Sequence, residues 1–321
     1  TVIDAKDIEQ RHARDVADVL RGVPGLSLSR SGSAGKATSL FGRGGNSQHT
    51  LVLWNGVEIN NPYFSGYDWG RFSASGVQRV EIVRGPFSSI YGSDALAGVV
   101  NILTVPKSSG VSVDAQTGGH GLRNTAATAA WLSGAFTLAA TLERRDDDGW
   151  SANDDFAQDA FSAFAGWRRD NFTAAVQARV TSYELGIPFN SSADGSALVP
   201  SLQRRQEGSE RQIAIPFRDT IGRWAWEVVL SESARNDDFA DPADPWGITW
   251  SQTDSTTRRA QASVRAGTAI GTVTVGGEYE RAKVDDRYSL GTNLDDSTRS
   301  SRSFFVEDRA GLAHRTGFLD G

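Results

Sequence analysis

The stretch EIVRGPFSSIYGSDALAGVVNILT, residues 81–104, decides the fold of this chain. It opens at the end of a short strand pattern, Gln78 to Val83, and closes with an apolar run, Val99 to Leu103. An Arg-Gly-Pro break and a Tyr-Gly-Ser turn lie between the two. Glycine reaches backbone angles that are closed to other residues, and proline ends strand pairing. The stretch therefore predicts two short strands joined by a tight connection, and the sequence pattern changes after Thr104.

The part of the chain before this change has the pattern of a mixed α/β domain. Asp15 to Leu20 predicts a short helix, because an N-capping aspartate precedes residues that share one apolar face. Leu26 to Ser29 alternates as a strand does, and Thr50 to Trp54 is a strand followed by an Asn55-Gly56 turn. An Asn-Gly pair between apolar runs is a strong hairpin signal. We therefore predict an α+β domain over residues 1–107.

The part after the change has no helical pattern. Segments of about ten residues alternate apolar and polar side chains, as in Phe136 to Glu143, Phe172 to Thr181 and Trp224 to Ser231. A period of two places one set of side chains on each face of a strand. Residues 108–321 are therefore predicted to form about ten antiparallel strands.

The connections between these strands alternate in length. Short ones lie near residues 133–134, 169–171, 218–222 and 269–271, and long ones near residues 146–158, 184–208, 235–254 and 284–300. Outer-membrane barrels have short periplasmic turns and long extracellular loops. Aromatic side chains flank the short turns, as interfacial girdles do: Trp131, Trp167, Phe172 and Trp224. These two patterns favour a transmembrane β-barrel over a soluble β-sandwich.

Composition excludes several other classes of protein. The net charge of −6 argues against a nucleic-acid binder, which usually has a basic patch. The 321 residues include no cysteine, which excludes disulfides, thiolate metal sites and a cysteine nucleophile. No apolar run is long enough for a transmembrane helix. No signal peptide is visible at the start of the chain.

Several motifs of the first domain together resemble one family. These motifs are Asp15 to Gly25, Phe41 to Gly44, Thr50 to Val57, Val77 to Gly85, Tyr91 to Ser93 and Gly98 to Ile102. They resemble the plug of TonB-dependent outer-membrane receptors, most closely the vitamin B12 (cobalamin) transporter branch. Two positions depart from the family pattern, Gly42 in place of an aliphatic residue and Asn55 in place of aspartate.

The resemblance implies a fold and a function. A barrel of about 22 strands holds such a plug, so the chain is expected to contain the plug and the first part of the barrel. The implied function is import of a scarce nutrient across the outer membrane of a Gram-negative cell. The expected partners are the nutrient, outer-membrane lipid and a TonB-type inner-membrane energy-coupling protein. Cobalamin is the first choice of ligand, a ferric siderophore the alternative, and a soluble β-rich enzyme or adhesin a remote alternative.

The resemblance also points to ligand contacts in two plug loops that face the outside. The candidate residues are Ser33, Gly35, Lys36, Asn60, Asn61, Tyr63, Phe64, Tyr67 and Trp69. Exposed aromatic rings in loops usually bind something. The alternative for each single ring is packing against the lumen wall.

A second set of plug residues is expected to fix the plug in the barrel: Arg43, Arg84, Gly85, Tyr91 and Gly92. The guanidinium of Arg84 can donate several hydrogen bonds to wall carboxylates in a fixed fork. Gly85 and Gly92 would allow close approach of the backbone.

Aspartates crowd two of the long connections and suggest calcium, which prefers oxygen ligands in flexible loops. The candidate ligands are Asp146, Asp148, Asp154, Asp155, Asp159, Asp238 and Asp241. The alternative is a solvated acidic surface. The twelve-residue spacing of an EF-hand loop is absent. No other cofactor is expected. The four histidines have no metal-ligand spacing and no catalytic triad is supported, so the sequence does not predict an enzyme.

Overall fold

The computed structural model describes residues 1–85, 94–268 and 271–310, with the backbone alone for residues 308–310. The chain folds into a small α/β domain, here called the plug, and a ten-stranded antiparallel sheet, here called the wall. The plug ends with the strand Gly98–Leu103 and the wall begins with Gly110–Thr117. The predicted boundary after residue 107 falls in the connection between them.

The plug contains two short helices and seven strands among the described residues. The helices are α1 Ala5–Gln10 and α2 Val16–Leu20, and the strands are β1 Val2–Asp4, β2 Leu26–Arg30, β3 Thr38–Gly42, β4 Thr50–Trp54, β5 Val57–Glu58, β6 Arg79–Arg84 and β7 Gly98–Leu103. Five of the strands form a sheet in the order β1-β6-β7-β4-β5, and β2 pairs with β3 as a separate hairpin. Short 3-10 turns cover residues Ser47–His49 and Trp69–Arg71.

The predicted local signals of the plug are confirmed. The Asp15 carboxylate accepts a hydrogen bond from the backbone amide of Asp18 at 2.8 Å and caps α2. The apolar face of α2 packs into one core with Trp54 of β4 and Ile102 of β7. Burying each such side chain stabilises the fold by about 1.5–3 kcal/mol. The Asn55-Gly56 turn has positive φ at both positions, as a type I′ hairpin requires.

The wall contains the ten long strands that the alternating pattern predicts. They are β8 Gly110–Thr117, β9 Arg123–Ser133, β10 Phe136–Asp147, β11 Phe156–Arg169, β12 Phe172–Gly186, β15 Arg205–Ile221, β16 Trp224–Ala240, β17 Trp250–Gly267, β18 Gly271–Tyr288 and β19 Gly291–Ala310. Each pairs antiparallel with its neighbour in the chain. A small hairpin of β13 Phe189–Ser191 and β14 Leu198–Pro200 lies within the connection from β12 to β15.

The two faces of the wall have opposite polarity. Side chains on the face that meets the plug are buried and largely polar, for example Gln177, Arg179 and Gln212. Side chains on the other face are apolar and exposed, for example Leu142 and Val176. A sheet with apolar residues outside and polar residues inside is the pattern of a membrane barrel. No helix among the described residues is long and apolar enough to cross a membrane.

The connections of the wall differ between its two ends. Residues 134–135, 170–171 and 222–223 form tight turns at one end, here called the basal end. Residues 118–122, 148–155, 187–204 and 241–249 form longer connections at the other, here called the apical end. The predicted turn near residue 269 lies partly outside the described residues.

Two predicted long loops are shorter in the structure than the sequence suggests. Residues 284–300 are largely paired strand, because β18 and β19 continue through a register shift near Val284 to a turn at residues 289–290. Asp237 and Asp238 lie within β16 rather than in a loop.

The aromatic side chains beside the basal turns form an exposed band. Trp167 contacts Phe172 with ring centroids 5.8 Å apart, and Phe172 contacts Trp226 at 6.3 Å. Trp131 and Trp224 are exposed near the same end. This arrangement agrees with the predicted girdle.

Candidate functional site

A large space between the plug and the wall lies at the apical end of the described residues. A cavity of about 940 Å³ is bounded by the plug segment 30–37 and by the apical connections 118–122, 148–155 and 187–189. Its charged lining comes from both sides: Arg14, Arg30, Lys36, Asp68, Arg71, Asp147 and Asp154. We call this space the apical cavity. A neighbouring cavity of about 440 Å³ shares Asp68 and Arg71 with it and extends beneath Phe64.

Lys36 connects the plug segment that lines the apical cavity to the wall. Its ammonium group is buried and donates hydrogen bonds to the carbonyls of Gly186 at 2.6 Å and Asp154 at 3.2 Å. It also pairs with the Asp154 carboxylate at 3.3 Å, and that carboxylate accepts a hydrogen bond from the hydroxyl of Ser33 at 2.7 Å. Burial lowers the pKa of Lys36, and the carboxylate of Asp154 opposes that shift.

Gly35 packs even more tightly against the wall. A Cβ atom built at this position would lie 2.0 Å from the ring of Phe156. Ser33, Gly35 and Lys36 line the apical cavity, but Ser33 and Lys36 direct their polar groups to the wall, and their contact with a ligand stays a prediction.

The aromatic segment divides between the core and the cavity rim. Trp69 is 1% exposed and lines neither cavity, so its prediction as a ligand contact is corrected to a core role. Tyr67 contacts Trp69 and Phe72 edge-on at 5.6 and 6.0 Å, and its ring borders the smaller cavity. Edge-on aromatic packing of this kind stabilises cores.

Two further residues of this segment hold the backbone in place. Asn60 is buried, accepts a hydrogen bond from the amide of Val52 and donates one to the carbonyl of Thr50. The side-chain oxygen of Asn61 accepts from the amides of Tyr63 and Phe64. Asn60 therefore has a structural role, while Asn61 also borders the smaller cavity.

Tyr63 and Phe64 contact each other, and Phe64 lines the smaller cavity. The hydroxyl of Tyr63 donates to the carboxylate of Asp286 on β18 at 3.0 Å. Phe64 is 57% exposed and stacks obliquely on Tyr63 with 4.6 Å between ring centroids. Of the predicted aromatic contacts, Phe64 is the ring most available to a ligand.

Arg71 is the principal residue that sequence reasoning missed. It borders both cavities, pairs with Asp68 at 2.5 Å and with Asp237 at 3.8 Å, and lies 3.9 Å over the ring of Tyr183. The only sequence signal is the three-residue spacing from Asp68, which is too common to single out a site.

The predicted plug–wall contacts need correction. The described contact of the Arg84 guanidinium is with the carbonyl of Pro24 in the plug, at 2.9 Å, rather than with a wall carboxylate. Arg43 lies exposed in a turn with φ +50°. Gly85 has φ +122°, which agrees with a glycine-dependent break. Tyr91 and Gly92 lie outside the described residues.

A chain of ion pairs at Glu58 makes the plug–wall connection that was expected of Arg84. The Glu58 carboxylate accepts a hydrogen bond from Arg259 of β17 at 2.8 Å, and Arg259 also pairs with Glu280 of β18. Burial raises the pKa of Glu58 to about 7, although Arg259 opposes the shift. Because Arg259 is shared with Glu280, it only partly offsets the burial of Glu58.

The aspartates proposed as calcium ligands are mostly engaged by cations and amides of the protein. Asp154 pairs with Lys36, Asp155 with Arg205, Asp146 and Asp159 with Arg144, and Asp241 with Asn190 and Arg204. Asp148 and Asp238 lie apart, in the 148–155 connection and in β16. Within the described part of the chain no three acidic or histidine side chains converge as a metal site. Calcium binding stays a prediction.

Comparison with known proteins agrees with this architecture. Residues 1–99 match the family TonB-dependent Receptor Plug Domain. The whole described fold is similar to the siderophore receptor PirA from Pseudomonas aeruginosa, with 20% identity, a TM-score of 0.74, and coverage of 97% of this chain and 53% of that one.

Two further solved structures are similar at comparable levels. One is the ferric enterobactin receptor PfeA from Pseudomonas aeruginosa, an R480A mutant in complex with enterobactin, with 18% identity, a TM-score of 0.76, and coverage of 97% and 55%. The other is the ferripyoverdine receptor of the outer membrane of Pseudomonas aeruginosa, with 12% identity, a TM-score of 0.75, and coverage of 93% and 44%. The chain therefore spans about half the length of these receptors.

Proposed function

Because residues 1–99 are a TonB-dependent receptor plug domain and the remaining described strands have the fold of an outer-membrane receptor barrel, we propose that the chain is part of a receptor that imports a ferric siderophore. The apical end faces the outside of the cell in this proposal. The ligand binds in the apical cavity, above Lys36 and Arg71, and extends over the neighbouring smaller cavity to Phe64.

The choice of ligand rests on the ligands of the similar receptors. PirA, PfeA and the ferripyoverdine receptor are each described as receptors for siderophores or their iron complexes. This supports a ferric siderophore over cobalamin, which rested on the motifs of the plug alone. The polar lining of the apical cavity is compatible with an oxygen-rich iron chelate, since charged groups and amides there can accept and donate hydrogen bonds.

Import by such a receptor needs energy from outside the barrel. We assign that role to a TonB-type coupling protein of the inner membrane, acting on the basal side of the plug. The plug is bound to the wall by the Lys36 and Glu58 contacts, so it does not leave the barrel without work.

The test is ligand binding by the complete receptor in detergent. We expect ferric enterobactin, used as the probe, to quench tryptophan fluorescence saturably, because Trp150 borders the apical cavity. Cyanocobalamin, with or without calcium, should give no saturable change. Saturable binding of cyanocobalamin without binding of a panel of ferric siderophores would overturn the ligand class and leave the fold unaffected.

The coupling step is tested separately in cells. Uptake of iron-55 as ferric enterobactin should require both the receptor and a functional TonB-type protein. Uptake that persists without the coupling protein would contradict an energy-dependent importer.

A further inference from the structure

Three arginines form a patch on the face of the wall that is turned away from the plug, here called the outer face. The side chains of Arg211 on β15 and Arg258 on β17 are 57% and 72% exposed, and Arg281 on β18 is exposed as well. The residue after Arg211, the residue before Arg258 and the residue after Arg281 are buried on the inner face. The period of two therefore directs all three arginines outward. We call them the cationic patch.

Two arginines of the cationic patch face each other across neighbouring strands. Arg258 and Arg281 lie directly opposite in the pairing of β17 with β18. Opposite Cβ atoms on one face are about 4.5–5.5 Å apart, and like charges placed there repel each other. The carboxylate of Glu232 on β16 accepts a hydrogen bond from Arg258 at 2.7 Å and pairs with Arg211 at 3.3 Å. Arg281 has no ion pair within the described part of the chain. Three guanidinium groups against one carboxylate leave an excess of two positive charges.

Four other cations toward the apical end of the outer face are matched by carboxylates. The pairs are Arg144 with Asp146 and Asp159, Arg205 with Asp155, Arg287 with Asp285, and Lys283 with Asp296. Each of these cations has at least one carboxylate of its own, so none of them leaves a positive charge over. The cationic patch differs from them because its guanidinium groups outnumber its carboxylate.

The cationic patch borders the apolar band of the outer face. Two residues closer to the basal end along the same strands, Ala260 lies opposite Tyr279, and Leu230 lies opposite Ala260 on the other side. Leu230 and Tyr279 are exposed, and exposed apolar side chains continue toward the basal end: Val264, Val275, Phe304 and Val306. Tyrosine is enriched where a membrane meets water. The cationic patch therefore lies at the apical edge of the apolar band, where lipid headgroups begin.

Phosphate is the anion that this arrangement fits. The planar fork of a guanidinium group donates two parallel hydrogen bonds to phosphate oxygens. A phosphate between Arg258 and Arg281 also reduces their mutual repulsion, which Glu232 relieves on the side of Arg258 alone. The excess of two positive charges matches a phosphate monoester, which carries about −1.5 to −2 charges at neutral pH. The phosphodiester of an ordinary phospholipid carries a single negative charge and matches less well.

We propose that the cationic patch binds the phosphate monoester of a lipid in the outer leaflet of the outer membrane. The acyl chains of that lipid lie on Leu230, Tyr279 and Phe304. A free phosphate ion makes the same polar contacts but leaves these apolar side chains uncovered. The site lies outside the import route, and it shares with the proposed function only the assignment of the apical end to the outside of the cell.

The experiment measures lipid binding by the delipidated complete receptor in detergent. Diphosphoryl lipid A, a glycolipid that carries phosphate monoesters, is the probe, and native mass spectrometry counts the bound lipid. We expect Arg258→Gln/Arg281→Gln to weaken binding severalfold, because glutamine keeps a polar side chain but has no charge. The matched control is Arg144→Gln/Arg205→Gln, which removes two arginines from the same end of the outer face. Its affinity should stay near wild type, since carboxylates already occupy those guanidinium groups.

Three further ligands identify the group that is recognised. Dephosphorylated lipid A should bind the wild type and the patch variant equally weakly. Phosphatidylglycerol, a phosphodiester, should bind the wild type less tightly than lipid A does. An excess of inorganic phosphate should leave lipid A bound. Equal affinity for dephosphorylated lipid A or for phosphatidylglycerol, or displacement of lipid A by inorganic phosphate, overturns the assignment to a lipid phosphate monoester.

Folding of each variant is checked by heat-modifiable gel mobility and circular dichroism. If the double variant does not fold, Arg281→Gln alone replaces it, since Arg281 has no ion pair to lose among the described residues. Equal weakening in the patch and control variants, or unchanged affinity in a folded patch variant, overturns the proposal. Binding of ferric enterobactin is measured on the same samples and should be unchanged in the patch variant. A receptor that binds lipid A through the patch but binds no ferric siderophore supports the lipid site and refutes only the proposed ligand.

Discussion

The ammonium of Lys36 lies 3.3 Å from the carboxylate of Asp154 and donates at 2.6 Å to the carbonyl of Gly186. Both side chains are almost completely buried. The pair joins an apical loop of the plug to the β10–β11 connection and to the end of β12. A movement of this plug loop is therefore coupled to the two wall segments that bound the apical cavity.

Replacing Lys36 with methionine should release this connection. Met fills a similar volume but leaves the Asp154 carboxylate buried without its cation, and breaking a buried pair typically costs about 3–5 kcal/mol. We expect a lower free energy of unfolding in urea and faster hydrogen exchange in residues 148–155. Mass-spectrometric hydrogen exchange of the complete receptor measures the second effect directly.

The control for this variant is Lys283→Met. Lys283 pairs with Asp296, but both side chains are more than half exposed. Exposed pairs contribute at most about 1 kcal/mol, because water and salt screen them. Equal loss of stability in the two variants would show that burial of the Lys36 pair has no special effect.

Glu58 should make the docking of the plug depend on pH. Its pKa in the folded protein is about 7, raised from 4.5 by burial. Because the folded state binds the proton of Glu58 more tightly than the unfolded state does, protonation stabilises the folded state. This stabilisation is complete below pH 4.5 and is lost as the pH rises through 7. A shift of this size corresponds to about 3 kcal/mol.

Glu58→Gln tests this dependence, because glutamine has the shape of the protonated acid and does not titrate. We expect the variant to gain stability relative to wild type between about pH 5 and pH 8, measured by urea unfolding in detergent. Glu81→Gln, which removes a half-buried carboxylate paired with Arg79 inside the plug, should follow the wild-type profile. A difference in free energy of unfolding between Glu58→Gln and wild type that stays constant across this pH range would contradict the raised pKa of Glu58.

The sequence predicts the wall well because its physical constraint is periodic. Residues such as Val176 and Gln177 alternate between the exposed outer face and the buried inner face of the wall, so strand positions and faces follow from a period of two. The plug hairpin follows in the same way from Asn55-Gly56, since few residue pairs adopt a type I′ turn.

The contacts between plug and wall could not be predicted in this way. The partner of Glu58 is Arg259, 201 residues away, and no local pattern encodes that distance. The extent of the last wall hairpin was also missed, because polar strand residues near its turn, such as Asp285 and Asp286, resemble a loop. The sequence singles out Lys36 and Asp154 separately, but no local signal shows that the two form a pair.

Trp69 and Phe64 should separate a core role from a binding role within one segment. Trp69→Ala should lower the free energy of unfolding by about 3–5 kcal/mol, as removal of a large buried ring does. Phe64→Ala should leave stability nearly unchanged, because the ring is exposed, and weaken binding of ferric enterobactin severalfold. Fluorescence titration and urea unfolding of both variants distinguish the two roles. An unchanged affinity in Phe64→Ala would remove this ring from the binding site.

Gly35 offers a direct test of how closely the apical loop packs on the wall. It has φ +72°, and a Cβ atom there would meet the ring of Phe156 at 2.0 Å. Gly44 has a similar φ of +78°, but a Cβ atom added there would have nothing within 4 Å. Each substitution by alanine carries the left-handed strain of about 1–2 kcal/mol.

Only Gly35→Ala adds a clash across the interface, so its loss of stability should exceed that of Gly44→Ala. In the Phe156→Ala background the ring is absent. There, the added Gly35→Ala substitution should lower the free energy of unfolding only by its left-handed strain, without the clash. This double-mutant cycle isolates the contact because each residue belongs to a different domain. A zero coupling energy would mean that the plug loop and β11 do not touch in the folded receptor, and the floor of the apical cavity would then be open to the wall.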